Sequence, residues 1–139
     1  MKSKFEKALE NRKKGYNCCQ AVACAYSDDF GIDEEIMFKI SEGFGSGIGN
    51  MQGMCGAVSG AVILAGLKNS AGTKNTTTKA DTYKIIKELV KEFQNKNSSV
   101  ICKDLKGVET KKVLRSCEGC IEDTINLVDK IIFRTKSDN

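Results

Sequence analysis

The sequence predicts an all-α protein: a single-domain bundle of five or six helices around a buried central helix rich in small residues. Three observations carry this expectation. Apolar residues recur at spacings of three and four, and capping residues stand where those stretches begin. No alternating run bounded by turn signals is long enough for a strand. The 139 residues make one domain, 1–139, with no internal repeat or linker. At that size about two thirds of the unfolded surface can be buried, so no disulfide framework is required.

The elements follow in order. Residues 3–14 form a short amphipathic helix ended by Gly15. Asn17 caps a second helix with Ala21, Val22, Ala25 and Tyr26 on its apolar face, and Phe30-Gly31 breaks it. Asp33 caps a third, with Ile32 and Met37 placed for a hydrophobic staple. The glycines from Gly43 to Gly53 predict a flexible loop in which several residues take positive φ. From Cys55 to Leu67 the chain is small and aliphatic nearly all round, the pattern of a buried central helix. Gly56 and Gly60 leave one stripe of that helix nearly bare, for close helix packing or for a cofactor resting against it. Residues 76–96 give the clearest helical signal, with Thr76–Thr78 as a cap and Ala80, Tyr83, Ile86, Leu89, Val90 and Phe93 as the apolar face. A final helix starts near Ser116 and aligns Cys117, Ile121, Ile125, Val128 and Ile132.

Composition removes several chemistries. His, Trp and Pro are absent. Without His there is no Ser-His-Asp triad, Cys-His dyad, HExxH zinc protease or His-ligated haem. Without Pro there is no cis-Pro site of the thioredoxin type. The opening MKSKFEKALENRKKG lacks the apolar core of a signal peptide. The longest apolar stretch, 54–67, spans 14 residues broken by glycines and is too short to cross a bilayer. A cytoplasmic protein is expected. The net charge of +4 comes from 19 Lys and three Arg spread over helix faces, with no aromatic-interleaved basic patch, so nucleic acid is not an expected partner. GFGSGIG does not fit G-x-G-x-x-G, and no Gly-Lys pair makes a P-loop.

What stands in excess is cysteine: Cys18, Cys19, Cys24, Cys55, Cys102, Cys117 and Cys120. In a reducing cytosol this number points to metal binding or thiol chemistry, and an odd count cannot pair completely within one chain. Cys18 follows the cap Asn17, Cys117 follows Ser116, Cys55 opens the central helix, and Cys102 begins a short turn. Helix N-termini favour a thiolate, the form that ligates metals and attacks disulfides. Cys24 lies in mid-helix and reads as a core residue. Cys117-Glu118-Gly119-Cys120 is a CxxC without βαβ context or a following His, a fair metal half-site, whereas the vicinal pair Cys18-Cys19 is a poor chelate.

Taken together these residues resemble a known pattern. Cys55-Gly56-Ala57-Val58-Ser59-Gly60 is CGAxxG, preceded by Tyr16-Asn17-Cys18-Cys19-Gln20-Ala21 and followed by Cys102 and Cys117. The chain resembles the redox-active protein family named for its C…GCAxxG…C…C pattern, over nearly its whole length. The resemblance puts the four family cysteines on Cys18, Cys55, Cys102 and Cys117, with Cys19, Cys24 and Cys120 extra. It implies a small helical protein of anaerobic bacteria and archaea, often encoded near transporter genes. The domain is also similar to part of the split-Soret cytochromes, but with no CxxCH and no His, haem is not expected here.

Three functions compete. In the first, the four cysteines carry thiol–disulfide or electron-transfer chemistry, with Cys55 as attacking thiolate and another of the four resolving the mixed disulfide. In the second, Cys18, Cys55, Cys102 and Cys117 hold an iron–sulfur cluster or zinc. In the third, the protein is structural and its cysteines are core. Under the redox reading a cofactor would rest against Gly56 and Gly60. A redox partner protein or a small thiol would be the partner, with a transporter link and a homodimer as further expectations.

Overall fold

Local chemistry sets where the helices begin. Ser3, Asn17, Asp33 and Ser116 each accept a hydrogen bond from a backbone N–H of the following turn, and the N–H groups of Ser3 and Asn17 donate in return to the side-chain oxygens of Glu6 and Gln20, completing two capping boxes. The computed structural model describes residues 2–134. Among them the chain forms α1 (Lys4–Lys13), α2 (Cys18–Ala25), α3 (Glu34–Glu42), α4 (Gly56–Asn69), α5 (Lys79–Asn97), α6 (Cys102–Lys106) and α7 (Cys117–Leu127), and no strand. A 3₁₀ turn, Ser27–Phe30, follows α2, and a π-helical turn, Val128–Ile132, extends α7. The helix beyond the expected six is α6, five residues opened by Cys102. No helix among the described residues is long and apolar enough to cross a membrane.

The core is built on α2 and α4. Every residue of α2 after Cys18 is buried, and α4 is buried continuously from Gly56 to Ala61. Two helices so rich in Ala and Gly can approach closely, which brings their backbones and their N-termini together. Met37, Leu89, Phe93, Ile121 and Ile131 close around them, each at most 1% exposed. Burial on that scale is worth about 1.5–3 kcal/mol per large side chain. The apolar face read along α5 is only partly used. Leu89 and Phe93 are buried, but Ala80 is exposed and Tyr83 is 60% exposed, because the first half of α5 runs past the end of the core.

Gly60 shows why the small-residue stripe exists. A Cβ built there would lie 3.0 Å from Val22 Cβ and 3.2 Å from the Cys19 carbonyl oxygen. Gly60→Leu should therefore cost about 3 kcal/mol or more by overpacking, read as a lower urea midpoint. Gly66, six residues along the same helix, has nothing within 4 Å of its Cβ position. Gly66→Ala should be neutral or stabilising, by up to ~1 kcal/mol from helix propensity. Equal midpoints for the two variants would mean that α2 and α4 separate freely at Gly60.

The glycine-rich segment is not the loose loop its composition suggests. Ser46, Gly47, Ile48, Gly49 and Met51 all have positive φ, and residues 46–48 wind as a left-handed turn. Hydrogen bonds to the start of α6 hold this arrangement. Cys55 N–H donates to Val100 O (2.7 Å), Cys102 N–H to Gly53 O (3.0 Å) and Lys103 N–H to Met51 O (3.0 Å). Gly47 is required by close approach, since a Cβ there would sit 2.5 Å from Cys102 Cβ.

Candidate functional site

The first turns of α2, α4, α6 and α7 meet at one end of the bundle. Cys18 is the first residue of α2, Cys102 of α6 and Cys117 of α7, while Cys55 is the N-cap of α4. All four line a single cavity of about 70 Å³, and Cys120 joins them from one turn further along α7. The cavity is large enough for about two water molecules. Arg12, Lys106 and Arg115 also line it, giving a basic surround to five sulfurs.

Within the cavity the thiols sort into two pairs. Cys18 lies against Cys117, and Cys55 against Cys120. In the first pair the Cys18 thiol donates to the Cys117 sulfur, which lowers Cys117 to about 6 against the opposing effect of burial, with Lys106 and Arg12 adding to the fall. The same bond, reinforced by burial, pushes Cys18 up. In the second pair Cys120 is the donor. Its hydrogen bond lowers Cys55 against burial, helped by the backbone N–H groups of Val58 and Ala57, and Cys120 rises in turn. Each pair thus favours one negative charge and one retained proton.

Exposure separates the pairs. Cys18 and Cys117 are half-buried, whereas Cys55 is 6% and Cys120 3% exposed. Cys55 was the attacking thiolate expected from the sequence, on the argument that a mobile glycine loop would admit a partner. Backbone hydrogen bonds tie residues 51–55 to 100–103, so the segment beside it is held in place, while Cys55 itself lines the cavity. Cys102 is pushed up, by burial first, and has no thiol partner. Cys19 and Cys24 do not line the cavity, and burial pushes each up to about 12.

The two glycines play different parts. Gly56 lines the cavity, and a Cβ on it would lie 3.2 Å from Cys19 N and 3.3 Å from Cys18 Cβ. Gly60 is not among the lining residues, because Val22 occupies the space before it. Only Gly56 is therefore placed to face anything bound in the cavity.

Several residues of the site carried no signal that singled them out. Cys120 read only as half of a CxxC, although three-residue spacing on a helix puts it on the face of Cys117. Arg115 is held by Asp123 through Nε–Oδ2 (3.0 Å) and Nη2–Oδ1 (3.1 Å). Asp123, its side chain 3% exposed, also accepts from Lys96 (2.6 Å) and Asn97 (3.1 Å). Gly119 lets the guanidinium lie over the first turn of α7, since a Cβ there would come within 2.5 Å of Arg115 Nε.

Among the described residues no group of three or more His, Cys, Asp or Glu side chains is gathered closely enough to hold a metal ion. Two separate sulfur pairs are the arrangement of dithiols, while a Cys₄ centre needs four sulfurs converging on one point.

Fold and site together define a small helical protein with a cysteine-lined, basic cavity at its helix N-termini. The chain belongs to the family described as "Putative redox-active protein (C_GCAxxG_C_C)", whose model matches residues 16–131. Nothing among curated proteins or solved structures matches it.

Proposed function

We propose that the chain is a thiol–disulfide exchange protein in which Cys117 attacks and Cys18 resolves. One observation carries this reading: Cys117 is half-exposed, lowered to about 6, and lies thiol against thiol with Cys18. At neutral pH it is a thiolate with its resolving partner already in place. Arg12 and Lys106 favour that charge, and both line the cavity beside it.

The reaction then runs in two displacements. Cys117 Sγ attacks one sulfur of a substrate disulfide, forming a mixed disulfide and expelling the other substrate sulfur as a thiolate. Cys18 Sγ attacks Cys117 Sγ, its proton passing to the second departing substrate sulfur. The substrate gains two electrons, and Cys18 and Cys117 lose them as they join. The reverse sequence oxidises a substrate dithiol. Such a dithiol is kept reduced in the cytoplasm, which is where this chemistry belongs.

The test is titration of the reduced protein with oxidised glutathione under anaerobic conditions, followed by acid quench, alkylation and peptide mapping. A Cys18–Cys117 disulfide is expected to form first. If no Cys18–Cys117 disulfide forms at any point of the titration, or if only mixed disulfides with glutathione accumulate, the assignment is wrong.

A further inference from the structure

We infer that Cys55 and Cys120 form a second, internal dithiol that re-reduces the Cys18–Cys117 disulfide, so that one reduced chain delivers two electron pairs through Cys117. This rests on the exchange reading above and extends it. Three placements in the fold point to it. The second pair lines the same cavity as the first, not a separate one. It is shielded from solvent, at 6% and 3% exposure, so a bulky disulfide cannot readily reach it. And Cys120 stands one helical turn from Cys117, on the face of α7 that lines the cavity.

The transfer balances without any outside reagent beyond the disulfide substrate that oxidised the outer pair. Cys120 Sγ attacks Cys117 Sγ while its proton moves to the Cys55 thiolate it already faces. The Cys18–Cys117 bond breaks, a Cys117–Cys120 bond forms, and Cys18 leaves as a thiolate. Cys55 Sγ then attacks Cys120 Sγ as its proton passes to Cys18. The Cys55–Cys120 disulfide forms and Cys117 departs as a thiolate, the state in which it began. Two electrons have moved outward, and the count of protons and charges is unchanged.

The division of labour follows from the enclosure. A buried dithiol is protected from stray oxidants and can be oxidised only through its neighbour. The outer pair, which has the access, makes every contact with substrate. Cys120, extra to the four family cysteines, becomes a catalytic residue of the internal step.

Anaerobic titration with oxidised glutathione separates the possibilities. The wild-type chain should consume about two equivalents, the first disulfide appearing at Cys18–Cys117 and migrating to Cys55–Cys120 before the outer pair closes again. Cys120→Ala should limit consumption to about one equivalent. In Cys117→Ala, oxidation of Cys55 should be at least ~10-fold slower than in the wild type, because its route is removed. A Cys18–Cys117 disulfide that forms and never migrates overturns the relay and leaves the exchange reading standing. Oxidation of Cys55 in Cys117→Ala at the wild-type rate also overturns the relay, since the inner pair would then be reached directly. Failure of Cys18–Cys117 to form at all overturns both.

Discussion

At pH 7 iodoacetamide should label Cys117 on the order of 100-fold faster than Cys24 in the reduced protein. With Cys117 lowered to about 6 it is mostly thiolate at that pH, whereas Cys24, pushed up to about 12 by burial, is thiolate in only ~1 part in 10⁵. A weaker base is also a weaker nucleophile, and a Brønsted slope of about 0.4–0.5 returns roughly two to three of those five decades. The remainder is the expected ratio, and the low exposure of Cys24 can only enlarge it. The pH dependence gives a second signature. Labelling of Cys117 should rise through pH 6 and level off above pH 7, while that of Cys24 should still climb tenfold per unit at pH 9. Timed alkylation with peptide mapping measures both. Equal rates, or a Cys117 profile with its midpoint above pH 8, would remove the nucleophile from the proposed mechanism.

Replacing Asp123 should produce a large loss of stability. Its carboxylate is 3% exposed and accepts from Arg115, Lys96 and Asn97 at once. Asp123→Ala leaves the buried Asn97 amide without that partner and removes the buried carboxylate from Arg115 and Lys96, at a cost of about 3 kcal/mol. Lys96, 60% exposed at its side chain, can turn to water, which keeps the figure at the low end for a broken buried pair. The hydrogen bonds from Arg115, Lys96 and Asn97 outweigh burial and hold the Asp123 carboxyl below its usual range. A depressed folded value contributes stability above the unfolded value near ~3.9, lost as pH falls through the lower folded one. The gap between wild type and Asp123→Asn in urea denaturation should accordingly be full at neutral pH and close only in strong acid. A gap of under ~0.5 kcal/mol at pH 7 would show that the network contributes little. Because Asp123 also fixes Arg115 at the cavity, the same variant reports whether that cation is needed for exchange.

Helix starts were legible because capping is local: Asn17, Asp33 and Ser116 need only the next turn to act. So was the gathering of cysteines at those starts. Which thiol faces which was not, since pairing Cys55 with Cys120 depends on how α4 crosses α7. The conformation of 45–53 was equally hidden. Three of its left-handed residues, Ser46, Ile48 and Met51, are not glycines, and the bonds that hold the segment come from residues 100–103, some 50 positions away in sequence. Periodicity found the face of α5 but not where its neighbours end, so Ala80 and Tyr83 were expected in a core that stops short of them.

The contact between Cys18 and Cys117 also joins the first third of the chain to its last helix. A covalent bond at that point would tie off a ring of about 100 residues, and a closure of that length removes enough freedom from the unfolded chain to be worth about 4.7 kcal/mol in the chain-entropy model. Such a bond would make the oxidised protein much harder to unfold than the reduced one. The relation holds in both directions, because the free energy around the cycle must sum to zero. Whatever the ring adds to the durability of the fold, the fold adds to the durability of the ring, and the native architecture thereby sets how strong a reductant is needed to open it.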